Sequence, residues 1–213
     1  MTVARCVDLS MPIAADMPTN RPDHFPPSIT PYASIEQGGW AGSEIRIDSH
    51  CGTHVDAPSH FVPGGLTIDE IPLDVLIGPA QKITVPAGTT AVTAADLGEI
   101  AAPRVVIHTG WSDRVATDEA GYLTASTHLD ADAAEFLVRS GVRLVGIDCP
   151  SVDAPAVDPV HQILLGNGVV IVENLANTSA VPDSFTLVVS PLRLIDGDGS
   201  PARVAAILDG EAR

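Results

Sequence analysis

Residues 50–60 read HCGTHVDAPSH and place three histidines and one aspartate within a single short segment. Helical spacing would put His50 and His54 on one face, whereas extended spacing would put His54 and Asp56 on one face. Gly52 lies between these pairs and permits a tight turn that combines both geometries. In either case several imidazole and carboxylate groups converge, so the segment predicts a functional site.

The chemistry of these side chains indicates a metal. Imidazole nitrogen and carboxylate oxygen suit Zn, Mn, Fe or Co, and a metal with an open coordination position lowers the pKa of a bound water to about 7. His24 lies further upstream, and for any single histidine a hydrogen-bonded loop residue is the better explanation. This explanation does not suit the cluster, because the whole chain has only 7 histidines and three of them lie in this one segment. The cysteines Cys6, Cys51 and Cys149 form no CxxC pair, so nitrogen and oxygen ligands are expected rather than thiolates.

Two residues far along the chain are further candidates. His161 falls in the first turn of a predicted short helix that Asp158 caps and Pro159 begins. Glu173 ends an apolar strand, where a carboxylate is costly to bury without a partner. Periodicity and burial alone also allow His161 to be a surface helix residue and Glu173 a solvent-facing acid.

The rest of the chain alternates between predicted strands and helices. A strand with period two at 44–48 and continuous apolar runs predict one central sheet, the runs being 105–107, 144–147, 169–172 and 187–189. Helices are expected from Thr93 through Leu97, from Asp130 to near Gly141, and from Pro159 to Gly166. This pattern predicts an α/β or α+β layered domain and leaves an antiparallel contribution from the N-terminal strands open.

Length and composition narrow the class of protein. The chain has 213 residues, of which 45% are hydrophobic and 18% charged, and we expect residues 1–213 to form a single domain. No apolar run is long enough for a membrane helix and no signal peptide is apparent, so a cytoplasmic location and no membrane partner are predicted. A net charge of -16 with only 11 Lys and Arg residues disfavours nucleic acid as a partner. The proline-rich stretch 11–33 predicts an irregular segment that lines or covers a pocket or forms an interface.

The spaced set His50-x-Gly52-Thr53-His54-x-Asp56-x-Pro58-x-His60 resembles the signature of the cyclase-like metal hydrolases. That family contains bacterial kynurenine formamidase and isatin hydrolase. The resemblance runs nearly end to end, through matching segments at 8–10, 108–111, 146–148, 151–153, 161–165, 173–175, 191–193 and 199–203.

The resemblance implies roles for the candidate residues. His50, His54 and Asp56 would bind one divalent metal, and Asp56 would bridge to a second metal held by His161 and Glu173. His60 would be the catalytic proton shuttle. Zinc is usual in the formamidases and manganese in the isatin hydrolases, with one or two metals per subunit. The implied fold is a swivelling β/β/α domain, a mixed sheet with flanking helices, assembled as a homodimer or homotetramer.

The substrate implied is a small molecule. The formamidases carry a tryptophan in a Pro-x-Trp-Pro stretch near the N-terminus, whereas residues 18–22 here read PTNRP. Residues 173–177, ENLAN, look closer to the isatin hydrolases. We therefore expect hydrolysis of an amide, cyclic amide or ester bond in a small aromatic or cyclic molecule, with an arylformamidase acting on N-formylkynurenine as the alternative.

Other classes of site fit the sequence less well. A Cys51 nucleophile would need an oriented base and an electropositive setting, and here the histidines have a better use as ligands. The chain has no Gly-x-Ser-x-Gly elbow and no HExxH motif, and the spacing differs from the His-x-His-x-Asp-His of metallo-β-lactamases. A non-catalytic metal-binding or ligand-binding module is the remaining alternative. His60 beside a complete ligand set argues against it, because a closed structural metal site needs no acid or base.

Overall fold

The computed structural model describes residues 5–15, 17, 19, 25–114, 126–155, 157 and 159–208. Its strands are β1 (Arg5–Asp8), β2 (Ser28–Ala33), β3 (Gly42–Arg46), β4 (His54–Asp56), β5 (Ile77–Thr84), β6 (Ala91–Val92), β7 (Arg104–His108), β8 (His128–Leu129), β9 (Leu144–Ile147), β10 (Val170–Glu173), β11 (Ser184–Pro191) and β12 (Gly199–Leu208). Its α-helices are α1 (Ile35–Gly38), α2 (Leu73–Leu76), α3 (Ala94–Leu97), α4 (Ala131–Arg139) and α5 (Pro159–Gly166). Among the sequence-based expectations, His24 and the helix cap at Asp158 lie outside the described residues.

The main sheet is mixed and curls into a barrel. Its strand order is β1-β12-β11-β5-β7-β9-β10-β4, and a further pairing of β12 with β4 joins the two sides. Strands β5, β7, β9 and β10 run parallel to one another, whereas β4, β11 and β12 pair with their neighbours in antiparallel fashion. The N-terminal β1 is antiparallel to β12, so the antiparallel contribution left open by the sequence is present. The α/β class and the mixed sheet are confirmed.

The central strands are buried on both faces, which explains their continuous apolar runs. In β7, Val105 and Ile107 pack into a cluster that includes side chains of α4 and α5, while Val106 between them packs inside the barrel. Space inside is limited: a Cβ placed on Gly146 of β9 would lie 2.7 Å from a side-chain carbon of Leu175. Helices α3, α4 and α5 therefore pack on one face of the sheet, whereas the cluster on the other face includes side chains of α2.

The helix boundaries follow local signals in the sequence. Thr93 and Asp96 form a reciprocal capping box at the start of α3. Asp130 adopts the extended backbone of an N-cap before α4, and Gly141 (φ 77°) follows shortly after its end. These predicted ends are confirmed.

Two local expectations were wrong. The strand predicted at 44–48 is observed as β3, but it pairs with β2 in a separate, largely exposed hairpin instead of joining the central sheet. The proline-rich stretch is not irregular throughout, because residues 28–33 form β2. Pro31 is accommodated there because the register shifts between Pro31 and Ala33, and proline is tolerated at such irregularities of an edge strand. In the part of the chain that the structure describes, no helix is both long and apolar enough to span a bilayer.

Candidate metal centre

The segment 50–60 changes from turn to strand within a few residues. His50 lies in the turn before β4, and Gly52 adopts a positive φ of 61° that favours glycine. A Cβ at Gly52 would also lie 3.2 Å from the terminal carbon of Met17. His54 and Asp56 follow on β4 with the period of two that places both on one face. The combined turn and strand geometry expected from the sequence is therefore confirmed.

Strand pairing on both sides of β4 brings distant residues to this point. Glu173 of β10 lies opposite His54 in the antiparallel register. On the other side, Gly199 of β12 lies opposite Asp56. The pairing of β12 with β4 thus closes the barrel at the cluster.

His161 reaches the cluster from the first turn of α5. Asp153 accepts hydrogen bonds from the backbone N–H groups of Val160 and His161 (2.8 and 2.9 Å) and contacts His161 Nδ1 at 2.7 Å. The His161 ring also stacks on Phe61, with ring centroids 4.8 Å apart. Its other nitrogen, Nε2, faces the carboxylates of Asp56 and Glu173. His161 is buried, so the surface-helix alternative was wrong.

Two groups of potential ligand atoms share Asp56. In the first, Asp56 Oδ1 lies 2.7 Å from His50 Nδ1 and 3.3 Å from His54 Nε2. In the second, His161 Nε2 lies 3.5 Å from Asp56 Oδ2 and 3.3 Å from Glu173 Oε1. Within each group the ligand atoms lie within 4.8 Å of one another. All five residues named by the sequence are therefore brought together, and all five are buried.

One atom at the centre of the cluster lacks a hydrogen-bond partner. Asp56 Oδ2 is fully buried and accepts no hydrogen bond from any of the described residues. A buried polar atom without a partner is costly unless something else satisfies it. A cation between Asp56, His161 and Glu173 would do so, and the nitrogen and oxygen donors fit Zn or Mn.

The electrostatics of the cluster favour positive charge. Burial alone lowers the pKa of His50, but its hydrogen bonds with Asp198 and Asp56 outweigh burial and raise that pKa to about 10. Burial also opposes the charged form of His161, yet the neighbouring carboxylates of Asp153, Asp56 and Glu173 raise its pKa to about 12. The carboxylates therefore hold positive charge at these positions, which protons or a divalent cation can supply.

His60 lies beside the cluster in the short 3-10 helix Pro58–His60. Its ring centroid is 4.1 Å from that of His50, and 28% of its side chain is exposed, so small molecules can reach it. Burial lowers the pKa of His60, and the nearby positive charges of His50 and His161 act in the same direction. Its ring is therefore neutral near pH 7 and able to accept a proton.

Two carboxylates at the site were missed by the sequence reasoning. Asp153 fixes His161, and Asp198 lies 3.0 Å from His50 Nε2 and 3.4 Å from His60 Nδ1. Asp153 lies in segment 151–153, which carries part of the family resemblance, but no role was assigned to it. Asp198 directly precedes another such segment, 199–203. Neither has a periodic pattern or a ligand-type spacing, so nothing in the residues alone singled them out.

Cys51 is a buried packing residue. Its side chain is buried with Sγ 3.8 Å from Met17 Sδ, and burial, aided by the charge of Asp48, raises the pKa of the thiol to about 11. A thiol in that state is a poor nucleophile. We predict that Cys51→Ser retains the wild-type kcat/KM and metal content. Loss of turnover with full metal occupancy would support a thiol mechanism instead.

Comparisons with known proteins agree with this geometry. The family model described as a putative cyclase matches residues 7–154. The chain belongs to this cyclase family. Kynurenine formamidase from Salinibacter ruber is 37% identical over 164 residues, covering 75% of this chain and 76% of the relative. Kynurenine formamidase from Geobacillus thermodenitrificans is 33% identical over 198 residues, covering 86% and 91%.

Solved structures extend the likeness of this cyclase-family chain over nearly its full length. Isatin hydrolase A from Labrenzia aggregata, bound to benzyl benzoate, superposes with a TM-score of 0.85 at 26% identity, covering 96% of this chain and 94% of that one. A structure described as a potential metal-dependent hydrolase with cyclase activity has a TM-score of 0.81 at 30% identity, covering 96% and 98%. The chain is an enzyme, a metal-dependent hydrolase of the cyclase family.

Proposed function

We propose that this enzyme hydrolyses a carbonyl–nitrogen or carbonyl–oxygen bond of a small aromatic or cyclic molecule, with a cyclic amide as the first candidate. The observation that carries the proposal is the buried Asp56 carboxylate, which is shared by two ligand groups and has one oxygen unsatisfied by the described residues. A hydrolytic metal centre explains both the shared carboxylate of Asp56 and the partly exposed side chain of His60 next to it.

In this proposal His50, His54 and Asp56 hold one divalent metal, and Asp56, His161 and Glu173 hold a second, each Zn or Mn. When bound, such a metal activates water and polarises the carbonyl group to be attacked. The protein fixes the ligands in advance. Gly52 O accepts a hydrogen bond from His54 Nδ1 at 2.8 Å, which turns Nε2 of that ring toward the carboxylates.

His60 is proposed to move the proton that the reaction needs. Its lowered pKa lets the neutral ring accept a proton as water attacks and then pass it to the leaving nitrogen or oxygen. Phe61, whose ring lies 4.7 Å from the His60 ring and also stacks on His161, helps to keep both rings in place.

Two substrate classes are supported by different observations. The absence of an aromatic residue from the stretch 18–22 favours an isatin-like cyclic amide over N-formylkynurenine. The higher sequence identity to kynurenine formamidases favours the arylformamidase reaction. We therefore keep both, with the hydrolytic chemistry common to them as the conclusion.

The test is a substrate panel with metal control. Metals in the purified protein are quantified, and turnover of isatin, N-formylkynurenine, small lactones and cyclic imides is measured before and after chelation. The proposal predicts turnover of at least one substrate that chelator abolishes and added Zn or Mn restores. Turnover that survives complete metal removal would contradict it, and bound metal without turnover of any of these substrates would contradict the proposed substrate classes.

We further propose that the protein forms a homodimer or homotetramer through the β2–β3 hairpin. Two-stranded hairpins are marginally stable alone, yet this one exposes the cross-strand pair Ile29 and Ile45, together with Trp40. Replacing Ile29 and Ile45 with Ser should lower the mass measured by light scattering after gel filtration. An unchanged mass would place the interface elsewhere, and a monomeric wild-type protein would refute the assembly itself.

The domain boundaries and the cellular location of the enzyme are also proposals. We propose that residues 1–213 act as one catalytic domain, because the cluster draws on positions from His50 to Asp198. The cytoplasmic location expected from the sequence would be tested by cell fractionation.

A further inference from the structure

Among the residues that the structure describes, Asp198 is the one carboxylate outside the first ligand group that contacts both that group and the candidate proton shuttle. Its Oδ2 lies 3.0 Å from Nε2 of His50 and 3.4 Å from Nδ1 of His60. The opposite nitrogen of the His50 ring, Nδ1, faces Asp56 Oδ1 at 2.7 Å. A single carboxylate oxygen therefore lies within 3.4 Å of a ring nitrogen of each of two neighbouring histidines.

The backbone around Asp198 is held tightly on both sides. The Asp198 carbonyl accepts a hydrogen bond from the N–H of Ala57, and the Gly197 carbonyl accepts one from the N–H of Ile68 (3.0 and 2.8 Å). A Cβ on Gly197 would lie 2.8 Å from the Ile68 side chain, and one on Gly199 would lie 2.7 Å from the carbonyl oxygen of Val55. The backbone that carries the carboxylate is thus held between two closely packed glycines.

We propose that Asp198 is a positioning residue, which accepts a hydrogen bond from His50 Nε2–H, attracts His60 Nδ1–H electrostatically at 3.4 Å, and so fixes the ring orientation and tautomer of both. His50 then presents Nδ1 to the metal, and His60 presents Nε2 to the substrate. Carboxylates commonly hold metal-binding histidines in this way, and their loss typically costs about 10- to 100-fold in activity or metal affinity. This inference rests on the proposed function of His60.

The competing role for Asp198 is that of a metal ligand. His50, His60 and Asp198 also lie close enough to surround an ion. The Asp198 side chain is 48% exposed, however, whereas His54 and Asp56 are each 1% exposed. The two roles differ in what Asp198→Asn does to bound metal.

The experiment compares Asp198→Asn with the matched control Asp196→Asn, two residues away in the same loop. Asp196 has a positive φ of 58°, which asparagine tolerates, and it belongs to none of the candidate metal groups. Asp198→Asn should lower kcat about 10- to 100-fold with KM and metal content nearly unchanged, while the control keeps wild-type values. Added formate should partly restore Asp198→Ala, because the half-exposed position admits a small carboxylate.

Two further readouts separate positioning from a general structural effect. In a His60→Ala background, Asp198→Asn should lower kcat by a smaller factor than in the wild type, because the part of its effect that acts through His60 is already lost. Nitrogen NMR of the His60 ring should report a proton on Nδ1 in the wild type and a changed tautomer population in Asp198→Asn.

Several outcomes would overturn the proposal. These are an unchanged kcat in Asp198→Asn, a loss of metal as complete as that in an Asp56 variant, or a His60 tautomer that does not depend on residue 198. The NMR readout needs no substrate. If the wild-type protein hydrolyses nothing, the tautomer result still decides the positioning role, and only the proposed function fails.

Discussion

Asp56→Asn should remove metal from both ligand groups and abolish turnover, because Asp56 is the one residue that the two groups share. A catalytic metal ion stabilises the transition state by several kcal/mol. Because about 1.4 kcal/mol corresponds to a tenfold change in rate, kcat/KM should fall by roughly a thousandfold or more. Metal content by elemental analysis and steady-state kinetics measure the two effects together.

The matched control is Asp183→Asn, since the Asp183 side chain is 91% exposed and lies outside the cluster. It should keep wild-type metal content and turnover. Asp56→Asn also removes a buried negative charge that faces His50, His54 and His161, so its folding is checked by circular dichroism. A folded Asp56→Asn protein that retains full metal would refute the shared ligand.

His60→Ala should differ from Asp56→Asn in its effect on the metal, because we expect turnover to be lost while the metal is retained. General acid–base catalysis contributes about 10²- to 10⁴-fold, and we expect kcat to fall by that range. His60 lies outside the two groups that share Asp56, so their metal content should stay near the wild-type value. His54→Ala, measured in parallel, should lose metal as well as turnover.

A histidine elsewhere provides the control for this prediction. His128 on β8 belongs to none of the three candidate metal groups, and His128→Ala should leave kcat unchanged. If turnover survives in His60→Ala, the proton shuttle is a different group. If that variant also loses its metal, His60 acts as a ligand, and the group formed by His50, His60 and Asp198 becomes the candidate metal site.

The sequence predicted the central strands well because their apolar runs reflect burial on both faces. It predicted a strand near 44–48 but placed it in the wrong sheet. A period of two in the sequence shows which residues lie on each face of a strand, but it does not show which strand pairs with it. Here the partner is β2. The closure of the barrel by β12 and β4 was equally unreadable, because pairing between distant segments leaves no local signal.

The candidate site was predictable where ligands are dense in the sequence. His50, His54, Asp56 and His60 fall within eleven residues, and their clustering alone indicated a metal. The roles of His161 and Glu173 needed the family resemblance, because each is a single polar residue in an apolar element. Asp153 and Asp198 contact candidate site residues from loops, so only the fold reveals what they touch.

The most direct test of the account is an anomalous diffraction experiment on crystals of the active, metal-loaded enzyme, recorded on both sides of the metal absorption edge. The account predicts an anomalous peak bonded to Asp56 and His54, with a second peak, where two metals bind, between Asp56, His161 and Glu173. An active crystal in which the metal lies away from Asp56 would contradict the account.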